Sequence, residues 1–482
     1  MVDRNKELAI NTVILGIGQL IPKFLAIVLL PLLTSYLTTE EYGNYDLILS
    51  IASLLIPVVT MQIQQAVFRY LLASKSDENK TLYVTGSLVY IGISSVVCYP
   101  IVYLILRLFK IDSLSAVLIC LLFLSEALYS LLGQIVRGLG YNAKYSVSVV
   151  VYSAVNLAAT AVMLMGFHLG LQGVIISLTI GYLSSDLYMV LVSGMLAYFK
   201  LDEFSRKALK ELLDFSMPIV PSSIALWVVN LSDRLIIINF MGAAANGIYA
   251  VANKIPSLYS TAYGIFNLAW TETASKVSDD GDPAEYYTKL FSGLFKFLIG
   301  VMLALIAVTP IIFKVLVKGD YGTAFFQVPI LYFGIFFNSL VNFYSGIYIA
   351  LKRTKQVGYS SVAGAAINAL INIFLIGKIG LYAASISTAV SFLVIAVYRA
   401  VDLNKVIEIK YNKREIVIGM SCFLVAAVCL NQSNMLKIAT CFLFAIVYNI
   451  ASTTLIISKK PGNTGISRDI RTEFTTDLLL SD

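Results

Sequence analysis

The sequence has 482 residues, of which 58% are hydrophobic and only 13% are charged, and its mean hydropathy is +0.83. Soluble domains carry about 25% charged residues, so this composition argues against a soluble protein and indicates a polytopic membrane protein. The net charge is +7, the only histidine is His168, and the five cysteines form no CxxC pair. We therefore predict no metal site, no cofactor and no nucleic-acid partner.

Long apolar runs divide the chain into about fourteen predicted membrane spans, because about 20 apolar residues cross a bilayer as a helix. The first six lie near Ala9–Leu33, Asn44–Gln65, Leu82–Leu106, Leu114–Val136, Ser146–Gly166 and Leu171–Tyr198. Six more lie near Phe215–Met241, Gly247–Thr271, Leu290–Val317, Ala324–Leu351, Val357–Ile376 and Leu381–Ala400. The last two lie near Ile416–Leu430 and Leu436–Ile457. The run Ile416–Leu430 is short, so the total could differ from fourteen by one.

A charged stretch at residues 200–214 separates spans six and seven. Its apolar residues Leu201, Phe204, Ala208 and Leu212 recur at helical spacing, which predicts an amphipathic helix lying on the membrane surface. We therefore predict an all-α membrane protein with an N-terminal lobe at 1–199 and a C-terminal lobe at 215–401. The stretch 200–214 would be the cytoplasmic linker, 402–458 would hold spans thirteen and fourteen, and 459–482 would be a cytoplasmic tail.

The lysines and arginines lie almost entirely on one side of the predicted spans. Positive residues favour the cytoplasmic side, so this asymmetry predicts that both termini are cytoplasmic. The opposite side receives only Arg107, Lys110, Lys314, Lys318, Lys378 and Lys437.

The two predicted lobes repeat three short motifs in register. Span two opens with Tyr42-Gly43-Asn44-Tyr45 and span eight with Asn246-Gly247-Ile248-Tyr249, an offset of 204 residues between the glycines. Lys144-Tyr145-Ser146 and Gly358-Tyr359-Ser360 open spans five and eleven, and Gly170-Leu171 and Gly380-Leu381 precede spans six and twelve; their offsets are 214 and 210 residues. A parallel repeat of six spans places two lobes around a cavity, which is a transporter layout.

With these motifs the chain resembles the bacterial polysaccharide repeat-unit flippases, the O-antigen and capsule exporters of the multidrug/oligosaccharidyl-lipid/polysaccharide exporter superfamily. The likeness rests on Thr39-Glu40-Glu41-Tyr42-Gly43-Asn44-Tyr45, on Ser232-Asp233-Arg234 in span seven and on Gly247–Lys254 in span eight. The resemblance implies flipping of an undecaprenyl-diphosphate-linked oligosaccharide from the cytoplasmic to the periplasmic leaflet for surface polysaccharide or lipopolysaccharide synthesis. It also implies a location in the bacterial inner membrane and contact with membrane lipids and with polysaccharide polymerase machinery.

Charged side chains inside the apolar runs are the candidate site residues, because a charge at membrane depth is costly unless it faces a partner or water. The predicted substrate-binding cations are Arg234, Lys254, Lys23 and Arg69, of which Arg69 could instead reach the cytoplasmic headgroups. The alternative role for the cations is ion pairing between helices. The predicted counter-ions or supporting acids are Asp233, Glu126, Asp186 and Asp46, with Asp233 assigned to orient Arg234.

Polar amides recur inside the spans and could contact sugar hydroxyls or join helices by hydrogen bonds. These candidate sugar contacts are Gln62, Gln65, Asn230, Asn338, Asn342, Asn368 and Asn372. No catalytic residues are predicted, since the outward loops are too short to house an enzyme site. The alternatives that stay open are a multidrug-type cation-coupled antiporter and a peptidoglycan-precursor flippase. The first is disfavoured because Ala9–Leu33 contains no acid.

Overall fold

The protein is entirely helical within the part of the chain that the computed structural model describes, which is residues 21–74, 76–277, 283–351 and 353–430. Fifteen α-helices follow one another: α1 Ile21–Tyr36, α2 Thr39–Thr60, α3 Ile63–Ala73, α4 Asp77–Leu108, α5 Ser113–Gly138, α6 Asn142–Ala161, α7 Gly170–Ser193, α8 Arg206–Ser216, α9 Val220–Met241, α10 Ala243–Val277, α11 Pro283–Leu316, α12 Val328–Ala350, α13 Thr354–Ile379, α14 Tyr382–Leu403 and α15 Lys413–Leu430. The all-α membrane fold predicted from the sequence is confirmed.

Nine helices in the described ranges are long and apolar enough to cross a membrane: α2, α4, α5, α6 with its π-helical extension to Gly166, α7, α11, α12 with the preceding turn from Gly322, α13 and α14. Each coincides with a predicted span. The start of span one, all of span fourteen and the polar tail lie outside the described residues. The count of fourteen spans stays a prediction.

Side-chain caps fix where several of these helices begin. Thr38 and Glu41 form a capping box at the start of α2: the Glu41 amide donates to Thr38 Oγ1 at 3.2 Å, and the Thr38 amide donates to Glu41 Oε2 at 2.9 Å. Asp112 caps α5 in the same way, with its Oδ1 accepting from the Ser115 amide at 2.8 Å. These caps set the helix ends that the hydropathy pattern leaves imprecise.

The predicted second span is not one continuous helix. α2 ends at Thr60, α3 begins at Ile63, and between them Met61 and Gln62 both have the left-handed backbone (φ 46° and 55°) that L-residues avoid. The freed carbonyl of Val59 accepts a hydrogen bond from the Ser94 hydroxyl of α4 at 2.6 Å, and this bond stabilises the break. Pro57 inside α2 is the only residue near the break that disfavours a continuous helix.

The amphipathic segment forms α8, which begins at Arg206, after a short 3₁₀ turn at Leu201–Glu203, and not at residue 200. Its apolar residues Ala208 and Leu212 are buried at 5% and 0% exposure, and α8 packs against α3 and α4. Leu212 joins a hydrophobic cluster with Ile63, Val84 and Ile135. The apolar face of this helix is therefore covered by protein, where the sequence predicted a membrane surface.

The contacts within the chain define two compact units. One comprises Met1–Ser278 and Pro310–Leu403, and the other comprises Asp279–Thr309 and Asn404–Asp482. Within the second unit, Lys296 of α11 and Glu415 of α15 form an ion pair at 3.1 Å, and the Ser292 hydroxyl donates to the same carboxylate at 2.8 Å.

Within the first unit, the repeated motifs at the starts of α2 and α10 contact each other reciprocally. A Cβ on Gly43 would lie 1.8 Å from the Ala243 carbonyl oxygen, and a Cβ on Gly247 would lie 1.9 Å from the Thr39 carbonyl oxygen. Ala243 follows Thr39 by the same 204 residues that separate the two glycines. The buried Asn246 side chain adds a hydrogen bond from Nδ2 to the Gly43 carbonyl at 2.9 Å. Only glycine permits the two backbones to approach this closely.

We expect Gly43→Ala to destabilise the protein by about 1–3 kcal/mol, because α2 and α10 would have to separate to accept the new methyl group. The melting temperature of the purified protein in detergent measures the effect. The matched control is Gly92→Ala in α4, where nothing lies within 4 Å of the new Cβ. Alanine favours a helix over glycine by about 0.5–1 kcal/mol, so the control should melt at the same or a higher temperature. Equal melting temperatures for both variants would contradict the close approach.

Candidate functional site

The charged residue Arg234 in the middle of α9 is paired with an acid from another helix. Its Nε lies 2.6 Å from Oδ2 of Asp46 in α2, and the two side chains are only 25% and 11% exposed. Taking either charge out of water costs several kcal/mol, which the partner offsets only while the pair stays intact. The pair therefore ties α2 to α9.

Asp233, the neighbour of Arg234, is held by neutral donors from three other helices. Its carboxylate accepts from Asn372 Nδ2 of α13 at 2.8 Å, from the Thr388 hydroxyl of α14 at 2.8 Å and from the Tyr249 hydroxyl of α10 at 3.2 Å. Arg234 interacts with Asp233 electrostatically, while Asp46 forms the short ion pair with it. Of the predicted counter-ions, it is thus Asp46 that orients the guanidinium, and Asp233 joins helices in the C-terminal half.

Lys254 of α10 completes a group of charges with this ion pair. Its side chain is exposed, and its ammonium interacts electrostatically with Asp46, Arg234 and Lys23. Lys23 of α1 is also exposed. Within the described parts of the chain, neither lysine forms a salt bridge. We call Lys23, Asp46, Arg234 and Lys254 the cation cluster: it brings three positive charges and one negative charge together from α1, α2, α9 and α10.

Arg69, the fourth predicted cation, is not among the groups that interact with Lys254. It lies on α3 with an exposed side chain, and its guanidinium sits 5.4 Å from the centre of the Phe215 ring. The structure thus brings Lys23, Arg234 and Lys254 together and places Arg69 against an aromatic side chain.

The predicted polar amides form hydrogen bonds between or within helices. Gln62, at the break between α2 and α3, donates to the Ser223 hydroxyl of α9 at 3.0 Å. Asn368 donates to Thr388 at 3.1 Å. Asn372 binds Asp233 as described, and Asn342 donates to Asn338 at 3.4 Å. The side chain of Asn230 lies outside the described residues. Among the predicted amides whose side chains the structure describes, Gln65 is the one that forms none of these side-chain hydrogen bonds, and it is exposed.

Glu126 of α5 and Asp186 of α7 lie in the N-terminal half. The Asp186 side chain is buried at 8% exposure, and the Glu126 side chain is partly buried. Neither forms an ion pair with a lysine or arginine that the structure describes.

Sequence reasoning did not find two parts of this arrangement. The first is the specific pairing of Arg234 with Asp46, since two residues 188 positions apart carry no mutual signal in a single sequence. The second is the set of donors around Asp233, of which Thr388 was not singled out. The other two donors carried separate signals: Asn372 was noted as a polar amide inside a span, and Tyr249 belongs to the repeated motif at the start of α10.

We expect Arg234→Ala to lower stability by about 3–5 kcal/mol, because it leaves the Asp46 carboxylate without its partner in a poorly hydrated place. Lys254→Ala breaks no salt bridge and should leave the melting temperature almost unchanged. The double variant Asp46→Asn with Arg234→Gln removes both charges and should recover much of the loss. If Lys254→Ala destabilised as strongly as Arg234→Ala, the distinction between a paired and an unpaired cation would be wrong.

The sequence and fold were compared with known proteins. A sequence model of the family described as "Polysaccharide biosynthesis protein" matches residues 8–271, which is more than half of the chain. A search of curated proteins finds no match.

Among solved structures, the fold is similar to "Lipid II flippase MurJ, inward closed conformation", with a TM-score of 0.70, 15% identity, and coverage of 92% of this chain and 98% of that chain. It is also similar to an inward-facing multidrug resistance MATE family transporter of the MOP superfamily, with a TM-score of 0.61, 13% identity, and coverage of 87% and 99%. At these identities the likeness shows the fold alone. The family match and the fold together lead to one conclusion: the chain belongs to the polysaccharide biosynthesis protein family and has the membrane fold of the MurJ and MATE transporters.

Proposed function

We propose that this protein is a flippase that moves an undecaprenyl-diphosphate-linked oligosaccharide repeat unit from the cytoplasmic to the periplasmic leaflet for surface polysaccharide synthesis. The observation that carries the proposal is the cation cluster. Lys254 and Lys23 are exposed cations within an apolar helix bundle, and intramembrane ions of this kind face a ligand path or a water-filled cavity. With Arg234 and Asp46 counted, the cluster has a net charge of +2, which suits an anionic diphosphate.

The family match supports the polysaccharide class of cargo. A flippase for the peptidoglycan precursor is the nearest alternative, and the likeness to a lipid II flippase fits both because it concerns the fold. A multidrug-type antiporter shares the fold as well. The cation cluster favours an anionic cargo over the cationic compounds that an acidic site would attract.

The reciprocal contact of Gly43 and Gly247 supports alternating access between two lobes. It is the contact that a six-span parallel repeat would form across its two-fold axis. In the predicted orientation, with cytoplasmic termini in a bacterial inner membrane, the starts of α2 and α10 lie at the periplasmic end. The described conformation would then be closed to the periplasm, and export would require these backbones to separate.

The remaining features of the proposal concern the surroundings of the protein. It acts as a transporter without catalysing a reaction, it contacts membrane lipids along its apolar helices, and polysaccharide polymerase machinery receives the repeat unit after flipping. The neighbouring genes would identify the surface glycan to which the repeat unit belongs, such as O-antigen or capsule. Genes for glycosyltransferases and a polymerase would be the informative ones.

The energy for export follows from the charges of cargo and site. A negative cell interior favours outward movement of the anionic headgroup by about 2.3 kcal/mol per charge per 100 mV. The same potential favours return of the empty cationic site to the inside. Both halves of the cycle would therefore run downhill in the same field.

The first experiment tests the cation cluster in cells that lack their own copy of the gene. We expect Lys254→Ala to abolish surface polysaccharide, because the diphosphate loses a cationic partner, and Lys254→Arg to retain most of it. Arg234→Ala should also abolish it, because the loss of the ion pair with Asp46 disturbs the cluster that holds the diphosphate. Surface glycan is measured by immunoblot, and the membrane level of each variant is measured on the same cells.

The matched control for this experiment is Lys289→Ala, which removes a lysine whose partner, Glu285, lies one turn away on the exposed start of α11. It should export normally. Normal export by both Lys254→Ala and Arg234→Ala, at normal membrane levels, would show that the cations are structural.

The second experiment measures translocation of lipid-linked oligosaccharide in sealed vesicles with a clamped potential and with neither a sodium nor a pH gradient. We expect the rate to rise when the potential of the compartment that corresponds to the cytoplasm is made more negative. Transport that ignores the potential and starts only with an ion gradient would contradict the electrical drive.

A further inference from the structure

An apolar groove lies between α4 and α5, two helices that contribute no residue to the cation cluster. Its volume is about 530 Å³, and ligand sites in proteins commonly measure about 300–1,000 Å³. Apolar side chains along it are exposed, among them Val96 at 76% and Leu104 at 61%, so the groove opens outward to the surrounding lipid. We call it the α4–α5 groove; its walls include Val96, Tyr99, Tyr103 and Leu104 of α4, and Val117 and Leu121 of α5.

The sequence explains why space is left between these two helices. Pro100, which lines the groove, has no amide hydrogen to donate to the Val96 carbonyl, so α4 loses one of its hydrogen bonds there. Ser95 of α4 and Cys120 of α5 also line the groove, and their side chains are short. The helices stay in contact beside them, since the Cys120 Sγ lies 3.9 Å from the Tyr99 carbonyl oxygen.

The α4–α5 groove has the depth of one leaflet of a bilayer. From Ser95 to Leu104, α4 rises by about 14 Å. The hydrocarbon core of a bilayer is about 30 Å thick, so one leaflet contributes about 15 Å. At the end of the groove nearer the turn to α5, the hydroxyls of Tyr103 and Ser113 form a hydrogen bond at 3.0 Å, and tyrosine is typical of the membrane–water interface. A lipid chain in the groove would therefore reach from the bilayer surface to its middle.

Two cations lie just beyond the interfacial end of the groove. Arg107 follows Tyr103 by one helical turn, so both lie on the same face of α4, and Lys110 lies in the turn that leads to α5. Both side chains are exposed, and neither forms a salt bridge with a described residue. In the predicted orientation they are the only arginine and lysine of the N-terminal lobe on the periplasmic side.

The turn between α4 and α5 carries a net positive charge. The Arg107 guanidinium donates to the Ile111 carbonyl at 2.6 Å, and Lys110 has φ 62°, a backbone conformation that glycine usually supplies at a helix end. Asp112 interacts electrostatically with Arg107, and its Oδ1 accepts from the Ser115 amide to cap α5. Two positive charges and one negative charge leave a net charge of +1, which favours an anion at this end of the groove.

We propose that the α4–α5 groove binds one phospholipid with an anionic headgroup. One acyl chain lies along the groove, and the phosphate lies at Arg107 and Lys110. In the predicted orientation this lipid belongs to the periplasmic leaflet. It fills the space beside Pro100 and thereby stabilises the packing of α4 against α5.

The depth and the charge of the groove select this occupant. An undecaprenyl chain is much longer than a groove of one leaflet's depth, so most of it would gain no contact there. A phospholipid with a neutral headgroup would fit the groove and leave the cations without a partner. The site is independent of the proposed function, because it lies on the outer surface of the N-terminal half and requires no cargo.

The site is tested with a phosphatidylglycerol that carries a photoreactive diazirine on one acyl chain. The full-length protein is placed in nanodiscs of phosphatidylcholine with this probe and illuminated, and mass spectrometry locates the cross-links. We expect them to concentrate on the groove residues of α4 and α5. Unlabelled phosphatidylglycerol should suppress them about twentyfold more effectively than phosphatidylcholine, since each of the two cations contributes about fivefold in affinity for an anionic lipid.

Variants separate the headgroup contact from the groove. Arg107→Gln and Lys110→Gln should each weaken the competition by phosphatidylglycerol about fivefold. Val117→Trp places a larger side chain in the groove and should abolish the cross-links. The matched controls are Lys378→Gln, an exposed cation in the last turn of α13, and Val147→Trp on α6, which is exposed at 46% where Val117 is exposed at 43%. Both controls should keep the cross-links of the unsubstituted protein.

Three results would overturn the proposal. Cross-links spread evenly over the exposed apolar helices would show contact with bulk lipid only. Equal competition by phosphatidylglycerol and phosphatidylcholine would show that the cations do not select the headgroup. Stronger competition by undecaprenyl phosphate than by phosphatidylglycerol would assign the groove to an isoprenoid lipid.

A second measurement follows the melting temperature of the purified protein in detergent as phosphatidylglycerol is added. A ligand that binds the folded state raises this temperature with its concentration, so we expect a larger increase than with phosphatidylcholine. The increase should be smaller in Arg107→Gln and absent in Val117→Trp, and both controls should show it in full. An equal increase in Val117→Trp and the unsubstituted protein would contradict binding in the groove, whether or not the protein transports the proposed cargo.

Discussion

The ion pair between Arg234 and Asp46 is the interaction on which the arrangement of the site depends. Each charge would be costly alone inside an apolar bundle, so the pair must persist wherever the two helices stay close. It brings α2 and α9 together and leaves Lys254 and Lys23 as the cations without a salt bridge in the cluster. One cation of the cluster is thus engaged in an ion pair, and the other two form no salt bridge with a described residue.

The close approach of Gly43 and Gly247 lies within one turn of Asp46 on α2 and joins this helix to α10. Because it is a contact between backbones, any separation of α2 from α10 exposes peptide groups and frees the hydrogen bond from Asn246 to Gly43. The contact is therefore tight but small, which suits an interface that opens and closes. The break between α2 and α3 at Met61 and Gln62 gives span two a place to bend while α10 runs on to Val277.

The sequence was sufficient to predict the helical membrane fold and the position of nearly every described span, and it identified Arg234 and Lys254 as charges inside the spans, whose roles stay predictions. Hydropathy and the rarity of intramembrane charge carry those signals over long stretches. The partners of these charges could not be predicted, because a single sequence contains no information on which distant residues are in contact. The break at Met61 and Gln62 was missed because neither residue is a glycine or proline.

The contacts of the two acids near Arg234 differ in a way that bears on how the halves could move. Asp46 of α2 is held by the charge of Arg234 on α9, so this contact joins the two halves. Asp233 of α9 is held by neutral donors of α10, α13 and α14, so its contacts lie within the C-terminal half. A separation of α2 from α9 would break the ion pair and leave the hydrogen bonds of Asp233 intact. The ion pair is therefore the contact that a movement of the two halves has to break or preserve.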